Sequence, residues 1–373
     1  MKVAIVCDDL VQHGGAEKII EAISEIFPDA PIYTSIATKN WKSHFSSKNR
    51  KVITSFMQKF PFASKLNRFY SVFYLHVLAI ESFDFSQYDL VFSLSSRYAH
   101  FAITKPGTKH ICYLNTPGRM FWEPFDYFEK DNLGLSRPLS FLKKIGIFLI
   151  KPYLSWMRVA DYVAMRRPDL IICNAILTQK RLKKYFGLSA EIVHPFTDLK
   201  FEENSNGKDD FYLILTRLVS WKRVDLAIRA CEKLGRKLIV AGDGPDKSRL
   251  RALSGENTVF LGHVNEDKKR ELLCTCRALI NTQKEDFGIV PLEAMVAGKP
   301  VIAYGAGGAL ETVIDDETGI FFYEQNVISL CSAIEEFERK KFDSDRCKKR
   351  AGEFSSDNFK YSILERVNST ICI

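Results

Sequence analysis

The sequence has no pair of cysteines at metal-ligand spacing. Its nine cysteines are scattered through 373 residues, and Cys274 with Cys276 forms a C-x-C that has no second pair to complete a zinc site. Reduced, buried thiols of a cytosolic chain are the expectation instead. A secretion signal and an N-terminal membrane span are not expected either: MKVAIVCDDL holds one basic residue and a five-residue apolar run ending before Asp8, too short for either. Short-period repeats and low-complexity tracts are missing. Neither an RNA-binding aromatic motif nor a helix-turn-helix pattern accompanies the basic residues, so nucleic acid is not an expected partner.

What is present suits a large soluble globule. With 46% hydrophobic residues the chain can bury more than one core usually serves, and two domains are expected. Charge is uneven along it. Residues 1–198 carry 26 Lys or Arg against 17 Asp or Glu, and the remainder 27 against 28, so the basic excess of the whole chain lies in its first half. Between Lys39 and Arg158 there are 18 basic and 7 acidic residues, interleaved with aromatics in SFMQKFPFASKLNRFYSVFYLHVL and RPLSFLKKIGIFLIKPYLSWMRVADYVAMRR. Such a face suits anionic lipid headgroups or an acidic substrate. Ordinary helices with solvated lysines would give the same pattern.

An α/β alternation runs through the chain twice. KVAIVCD reads as a strand, GGAEKIIEAISEIF as an amphipathic helix and PIYTSIA as a strand; YDLVFSLSS, HICYLN, DLIICNA and AEIVHP continue the series. After the polar break TDLKFEENSNGKDD a second series follows: FYLILTRL, RKLIVAGDGP, TVFLGHV, RALINTQ and PVIAYGA. Apolar strands alternating with helices imply parallel sheets. The expected fold class is therefore α/β, two facing Rossmann-like domains with parallel sheets and a cleft between them. Their expected bounds are 1–196 and 197–355, with 356–373 a C-terminal helix that packs back on the first domain. Open parallel sheets bind ligands at the carboxyl ends of their strands, which places the chemistry in strand-to-helix loops.

Three loops stand out. In DDLVQHGGAEK, Gly14 and Gly15 allow close approach of a ligand at the entrance to a helix whose N–H groups attract anions. Paired glycines in a tight turn also occur with no ligand, and the loop is not G-x-G-x-x-G. In LTRLVSWKRVDLAI, Arg217 follows a strand and Lys222, five residues on, begins a helix; together they would clamp a pyrophosphate, Arg by its planar fork and Lys as a point charge. In QKEDFGIVPLEAMVAGKPVIAYGAGGALE, Glu285 and the amides of Phe287, Gly288, Ile289 and Val290 form a mouth, while Glu293, eight positions after Glu285, sits inside the following helix. A carboxylate accepts hydrogen bonds from sugar or ribose hydroxyls, and helix N-terminal amides receive phosphate. As bare spacing, two glutamates eight apart mean little.

Taken with HGGAEK, TRLVSWKRVD, VAGDGP, VFLGHV, EDFGIVPLEAMVAGKPVIAYGAGGALETV and TGIFF, these loops make the chain resemble glycosyltransferase family 4, retaining nucleotide-sugar enzymes of GT-B architecture. ESFDFSQYDLVFSLSS and HICYLNTPGRMFWEPFDYF resemble the branch that includes O-antigen mannosyltransferases. The resemblance implies that Arg217 and Lys222 bind the donor diphosphate, Glu293 the ribose, and Glu285 the transferred sugar. It places Gly14 and Gly15 against phosphate or sugar, the base near Val264, and Arg119 and Trp122 on the acceptor. No cofactor and no metal are implied, since cations and a helix dipole neutralise the leaving group. Asp343 and Asp345, the one D-x-D match, read as solvated surface.

Several positions depart from the family pattern. Asn115 stands where related sequences carry a His facing the sugar; Asn hydrogen-bonds but cannot become a cation or shuttle a proton. His110 falls in the preceding strand and does not replace it. Thr216 stands for Gly, Ala175 for Ser, and PFTD at Pro195–Asp198 for Pro-Pro-Val-Asp. The implied activity is transfer of a hexose, mannose favoured, from a GDP- or UDP-sugar to a saccharide or polyprenyl-linked glycan in cell-surface glycan synthesis, such as lipopolysaccharide O-antigen. The implied location is cytoplasmic, peripheral at the inner face of the cell membrane. A non-catalytic nucleotide-sugar binder and a nucleotide-sugar epimerase are the rival readings.

Overall fold

A computed structural model describes residues 1–12, 14–71, 73–124, 140–201 and 210–371, with the side chains of 68, 69 and 140–150 excepted. His13, part of the basic, aromatic stretch before Arg158, most of the polar break after Asp198, and Cys372 lie outside the described residues. The chain divides into two compact units. The first gathers Met1–Pro124, Lys144–His194 and Asp357–Ile373; the second is built on Pro195–Ser356.

Seven parallel strands form the sheet of the first unit: β1 Val3–Cys7, β2 Ile32–Thr34, β3 Val52–Thr54, β4 Leu90–Ser95, β5 Lys109–Leu114, β6 Leu170–Cys173 and β7 Glu191–Ile192. They lie in the order β3-β2-β1-β4-β5-β6-β7. In the second unit six parallel strands, β8 Tyr212–Leu215, β9 Leu238–Ala241, β10 Thr258–Gly262, β11 Ala278–Asn281, β12 Val301–Tyr304 and β13 Gly319–Phe322, take the order β10-β9-β8-β11-β12-β13. Both units are Rossmann-like, and the α/β class expected from the alternation is observed. The order reverses between β1 and β4 in one sheet and between β8 and β11 in the other. At such a reversal the flanking loops leave in opposite directions and open a crevice at the strands' carboxyl ends.

Burial explains why these segments read as strands and helices. β1 and β4 are buried at every residue, as central parallel strands covered on both faces must be. Helix Gly15–Ile26 turns Ile19, Ile20, Ala22 and Ile23 inward, the stripe a 3.6-residue period predicts. In the second unit, helix Val224–Leu234 buries Val224, Leu226, Ala227, Ile228, Ala230 and Cys231, and stops at Gly235, whose φ of 64° is the left-handed cap that glycine adopts without strain. The C-terminal helix Ser356–Ile371 buries Phe359, Ile363 and Val367, and Phe359 meets the edge of Tyr113 with ring centroids 5.8 Å apart. All eight described cysteines are free thiols and buried.

A buried polar chain braces the first unit. His100 Nδ1 lies 2.8 Å from Ser95 Oγ, its Nε2 lies 2.9 Å from Asp161 Oδ1, and the indole of Trp122 donates to Asp161 Oδ2 at 2.6 Å. His100 and Asp161 are buried almost completely. These contacts tie the end of β4 to helix Ser140–Ala164 and to the short helix Arg119–Trp122. Removing the shared carboxylate strands two buried donors, a cost on the order of 3–5 kcal/mol. Asp161→Ala should therefore unfold at markedly lower urea concentration than the parent chain, followed by circular dichroism, while Trp122→Phe should cost about 1–2 kcal/mol; equal losses for the two would show that Asp161 is not the hub.

Candidate functional site

In the second unit the reversal between β8 and β11 brings two expected residues, Lys222 and Glu285, together. Arg217 is exposed in the loop after β8, and Lys222 closes the 3-10 turn Ser220–Lys222. Lys222 does not begin the next helix, as its spacing suggested. Arg223 adopts a left-handed φ of 53°, which breaks the turn, and the helix starts at Val224. This break leaves Lys222 only 9% exposed, with its ammonium 4.3 Å from the Trp221 ring centroid and bonded to the Glu285 carboxylate. Its carbonyl accepts the hydroxyl of buried Thr282 at 2.8 Å, which fixes the turn to the end of β11.

Glu285 is held from behind by glycines. The Gly308 N–H donates to Glu285 O at 3.0 Å, and a Cβ on Gly307 would stand 2.2 Å from that same oxygen. A Cβ on Gly308 would meet Phe287 O at 1.9 Å, so the GAGG segment is the floor on which the loop lies. Phe287 is buried, its ring 5.7 Å from that of Phe354. Gly288 then turns the chain with φ 89° into helix Ile289–Val296. With no side chain on Gly288 to cap it, the helix presents the N–H groups of Ile289 and Val290 at its first turn. Glu293, 4% exposed, points from this helix to Lys269, with Oε1 3.0 Å from Nζ. Val264 is half-buried in the loop between β10 and helix Glu266–Thr275.

The glycines of VAGDGP serve the Arg217 loop. A Cβ on Gly242 would lie 1.8 Å from Thr216 O, and one on Gly244 would lie 2.2 Å from Leu218 O. Asp343, expected as solvated surface, caps helix Ser344–Gly352 by accepting the Asp345 N–H at 2.9 Å. Among the described residues no three His, Cys, Asp or Glu side chains gather as metal ligands would.

The first unit has a cavity of about 280 Å³ at the β1/β4 reversal, and Gly14, Gly15 and Asn115 all line it. Asn115 follows β5, donates to Ser96 Oγ at 3.3 Å and receives the Thr178 hydroxyl on its carbonyl at 3.1 Å. Gly14, with φ −164°, is extended backbone that any residue adopts, and a Cβ there would stand 3.3 Å from Glu17 Oε2. Asp8 accepts the N–H groups of Ser96, Tyr98 and Ala99 at 2.9, 2.8 and 2.7 Å, pinning the exit of β4. Burial raises its carboxyl pKa, against the pull of Arg97 and those N–H groups. Asp9 is paired with Arg97. His110 is buried in β5, 2.8 Å from Ser93 Oγ, and burial lowers its pKa to about 3; it stays neutral and does not line the cavity. Arg119 and Trp122 share one short helix and do not line the cavity. The Trp122 ring stacks on Tyr185 at 5.0 Å.

Three contributors had no signature in the sequence. Lys269 sits in EDKKREL, which reads as an ordinary charged helix, and Asp8 and Glu17, which both line the first unit's cavity, read as strand-end and helix-start residues. Only a fold that closes the sheets gives them their neighbours.

With this geometry established, the likeness to known proteins can be given: residues 195–354 match the family described as Glycosyl transferases group 1. The chain is 28% identical to the alpha-1,3/1,6-mannosyltransferase ALG2 of Homo sapiens over 253 residues, 57% of this chain and 59% of that protein. A 75-residue stretch is 52% identical to ALG2 of Dictyostelium discoideum, covering 20% of this chain and 18% of the relative. The chain thus spans between about a fifth and three fifths of these two relatives. In fold it is similar to HepE of Anabaena, solved in complex with UDP and glucose, with a TM-score of 0.68, 18% identity, and 99% and 100% of the two chains covered.

Glu17 lines the first unit's cavity, and burial pushes its carboxyl up to about 7. Asp9 adds to the rise, while the N–H groups of Glu17 and Gly14 and the Arg97 charge oppose it. The folded state therefore favours the protonated acid. Its contribution to stability is complete below about 4.5 and is lost as pH rises through about 7. Between pH 5 and 8 the chain should lose up to about 3 kcal/mol from this group, and Glu17→Gln should flatten that part of the urea-denaturation profile. An unchanged slope in the variant would show that Glu17 does not titrate there.

Proposed function

We propose that the protein is a retaining, metal-independent glycosyltransferase that moves a hexose, mannose favoured, from a GDP- or UDP-sugar to a saccharide or lipid-linked saccharide in cell-surface glycan synthesis. The observation that carries this reading is the convergence of Lys222, Glu285, the Gly288 helix start and Glu293 at the β8/β11 reversal. A cation, a carboxylate for sugar hydroxyls, an N-terminal helix dipole and a buried carboxylate for ribose are what a nucleoside diphosphate sugar requires. The mannosyltransferase relatives support the sugar, and the UDP-bound neighbour supports a nucleotide donor.

The chain's own groups suffice for front-face transfer. The acceptor hydroxyl oxygen bonds to the anomeric carbon on the face from which the diphosphate oxygen leaves, and that departing oxygen takes the hydroxyl proton. Arg217, Lys222 and the N–H groups of Ile289 and Val290 stabilise the charge developing on the leaving group. Phe287 and Gly288 shape the turn against which it rests, and Val264 lies by the base. Glu285 orients the sugar and offsets positive charge at its ring. Asn115, with Gly14 and Gly15 on the same cavity, contributes neutral hydrogen bonds.

The acceptor is assigned to the first unit, with Arg119 and Trp122 nearest to it. That unit carries the basic excess and exposes Phe56, Phe62, Phe73 and Trp156. This combination supports a polyprenyl-diphosphate-linked acceptor met at an anionic membrane surface. The contact proposed is peripheral, at the inner face of the cell membrane; among the described residues no helix is long and apolar enough to cross a membrane.

Incubation with a panel of nucleotide sugars and mass analysis of the products tests the reading. Release of nucleoside diphosphate with transfer or slow hydrolysis of one sugar is expected, and binding without either would overturn it. Lys222→Ala should cost about 2–4 kcal/mol in kcat/KM; near-normal turnover would remove the diphosphate clamp. Because side chains and helix N–H groups carry the leaving-group charge, chelator should leave turnover largely intact, and abolition restored by manganese would contradict this.

A further inference from the structure

Glu293 is buried in helix Ile289–Val296, and a carboxylate there is costly unless paired. The charge that meets it comes from a separate element. Lys269, on helix Glu266–Thr275, places Nζ 3.0 Å from Glu293 Oε1, and the two side chains are 12% and 5% exposed. Lys269 also reaches Glu266 at 3.1 Å, but that carboxylate is 62% exposed, where an ion pair is worth little. Its neighbour Lys268 does the ordinary thing for such a helix and pairs with exposed Glu271 at the surface. The helix that carries Lys269 begins directly after the loop of Val264, capped by Asn265, whose side chain accepts the Lys268 N–H at 2.9 Å. The buried pair therefore joins the base-side loop to the ribose-side carboxylate.

We propose that Lys269 is a positioning residue for nucleoside recognition: its ammonium pairs with the Glu293 carboxylate and aims it, and so sets how strongly the second unit selects a ribose. The inference rests on the reading that Glu293 receives the ribose hydroxyls. Lys269 touches no reacting atom in this scheme. Its loss weakens donor binding and raises KM while leaving kcat nearly unchanged, because Lys222, Glu285 and the Gly288 helix start stay in place.

The test uses the full chain with GDP and UDP as probes, each also as its 2′-deoxy and 3′-deoxy form, with binding measured by calorimetry. Lys269→Met and Lys269→Gln should bind the tighter ribonucleotide roughly 10- to 100-fold more weakly, the scale of leaving a buried charge without its partner. The preference for ribo over deoxy forms should collapse in both. Lys269→Arg should restore most of the preference, and Lys268→Met should match the parent chain. A defect that was only structural would weaken ribo and deoxy forms alike and leave their ratio unchanged; that result would overturn the inference. Glu293→Gln separates the two levels. If it abolishes the ribo preference while Lys269→Met and Lys269→Gln keep it, the Lys269 inference fails alone. If Glu293→Gln itself keeps the preference, the ribose reading fails and the inference with it.

Discussion

Glu285 can meet Lys222 only because no side chain stands at Gly307 or Gly308. The loop from Glu285 to Gly288 lies directly on that backbone, close enough that a Cβ on either glycine would strike a carbonyl oxygen. The same device holds the opposite wall, where Gly242 and Gly244 let the Thr216–Leu218 loop settle. In both places backbone packs on backbone at van der Waals distance, which fixes a loop as firmly as a strand would. The charged groups can then be aimed without long-range order of their own. Around them stand parallel strands whose order reverses between β8 and β11, giving the crevice in which those loops end.

The fold was largely legible because parallel strands buried on both faces leave nearly continuous apolar runs. VAIVC, LVFSLS and LIVA are such runs. β3 and β13 escaped the reading of strands. VIT is only three residues and half-buried, and GIFF follows a turn with no apolar flank; each stands at a sheet edge, where packing that would mark it in sequence is halved. Strand ends also ran short: PIYTSIA contributes only Ile32–Thr34 to its sheet.

The candidate site was legible where a residue acts through its own loop, as with Glu285 and the Gly288 turn. It was hidden where a residue acts through a partner far along the chain. Lys269 and Glu293 are 24 positions apart, and Asp8 reaches N–H groups about ninety residues away. Lys222 lies between these cases. Its charge and neighbourhood were readable, but the left-handed Arg223 that ends its turn has no glycine to advertise it.

Among the described residues eight buried thiols are spread through both units. Burial pushes those of Cys112, Cys231, Cys276 and Cys347 up to about 12, so at neutral pH each is both out of reach and in its unreactive form. At these eight described sites a thiol-modifying reagent meets a nearly silent fold and records only the moments when a particular stretch opens. Cys112 reports on the centre of one sheet, and Cys276 on the approach to β11 in the other. The chain thus carries native sentinels of local breathing, and the order in which they become labelled maps where each unit loosens first.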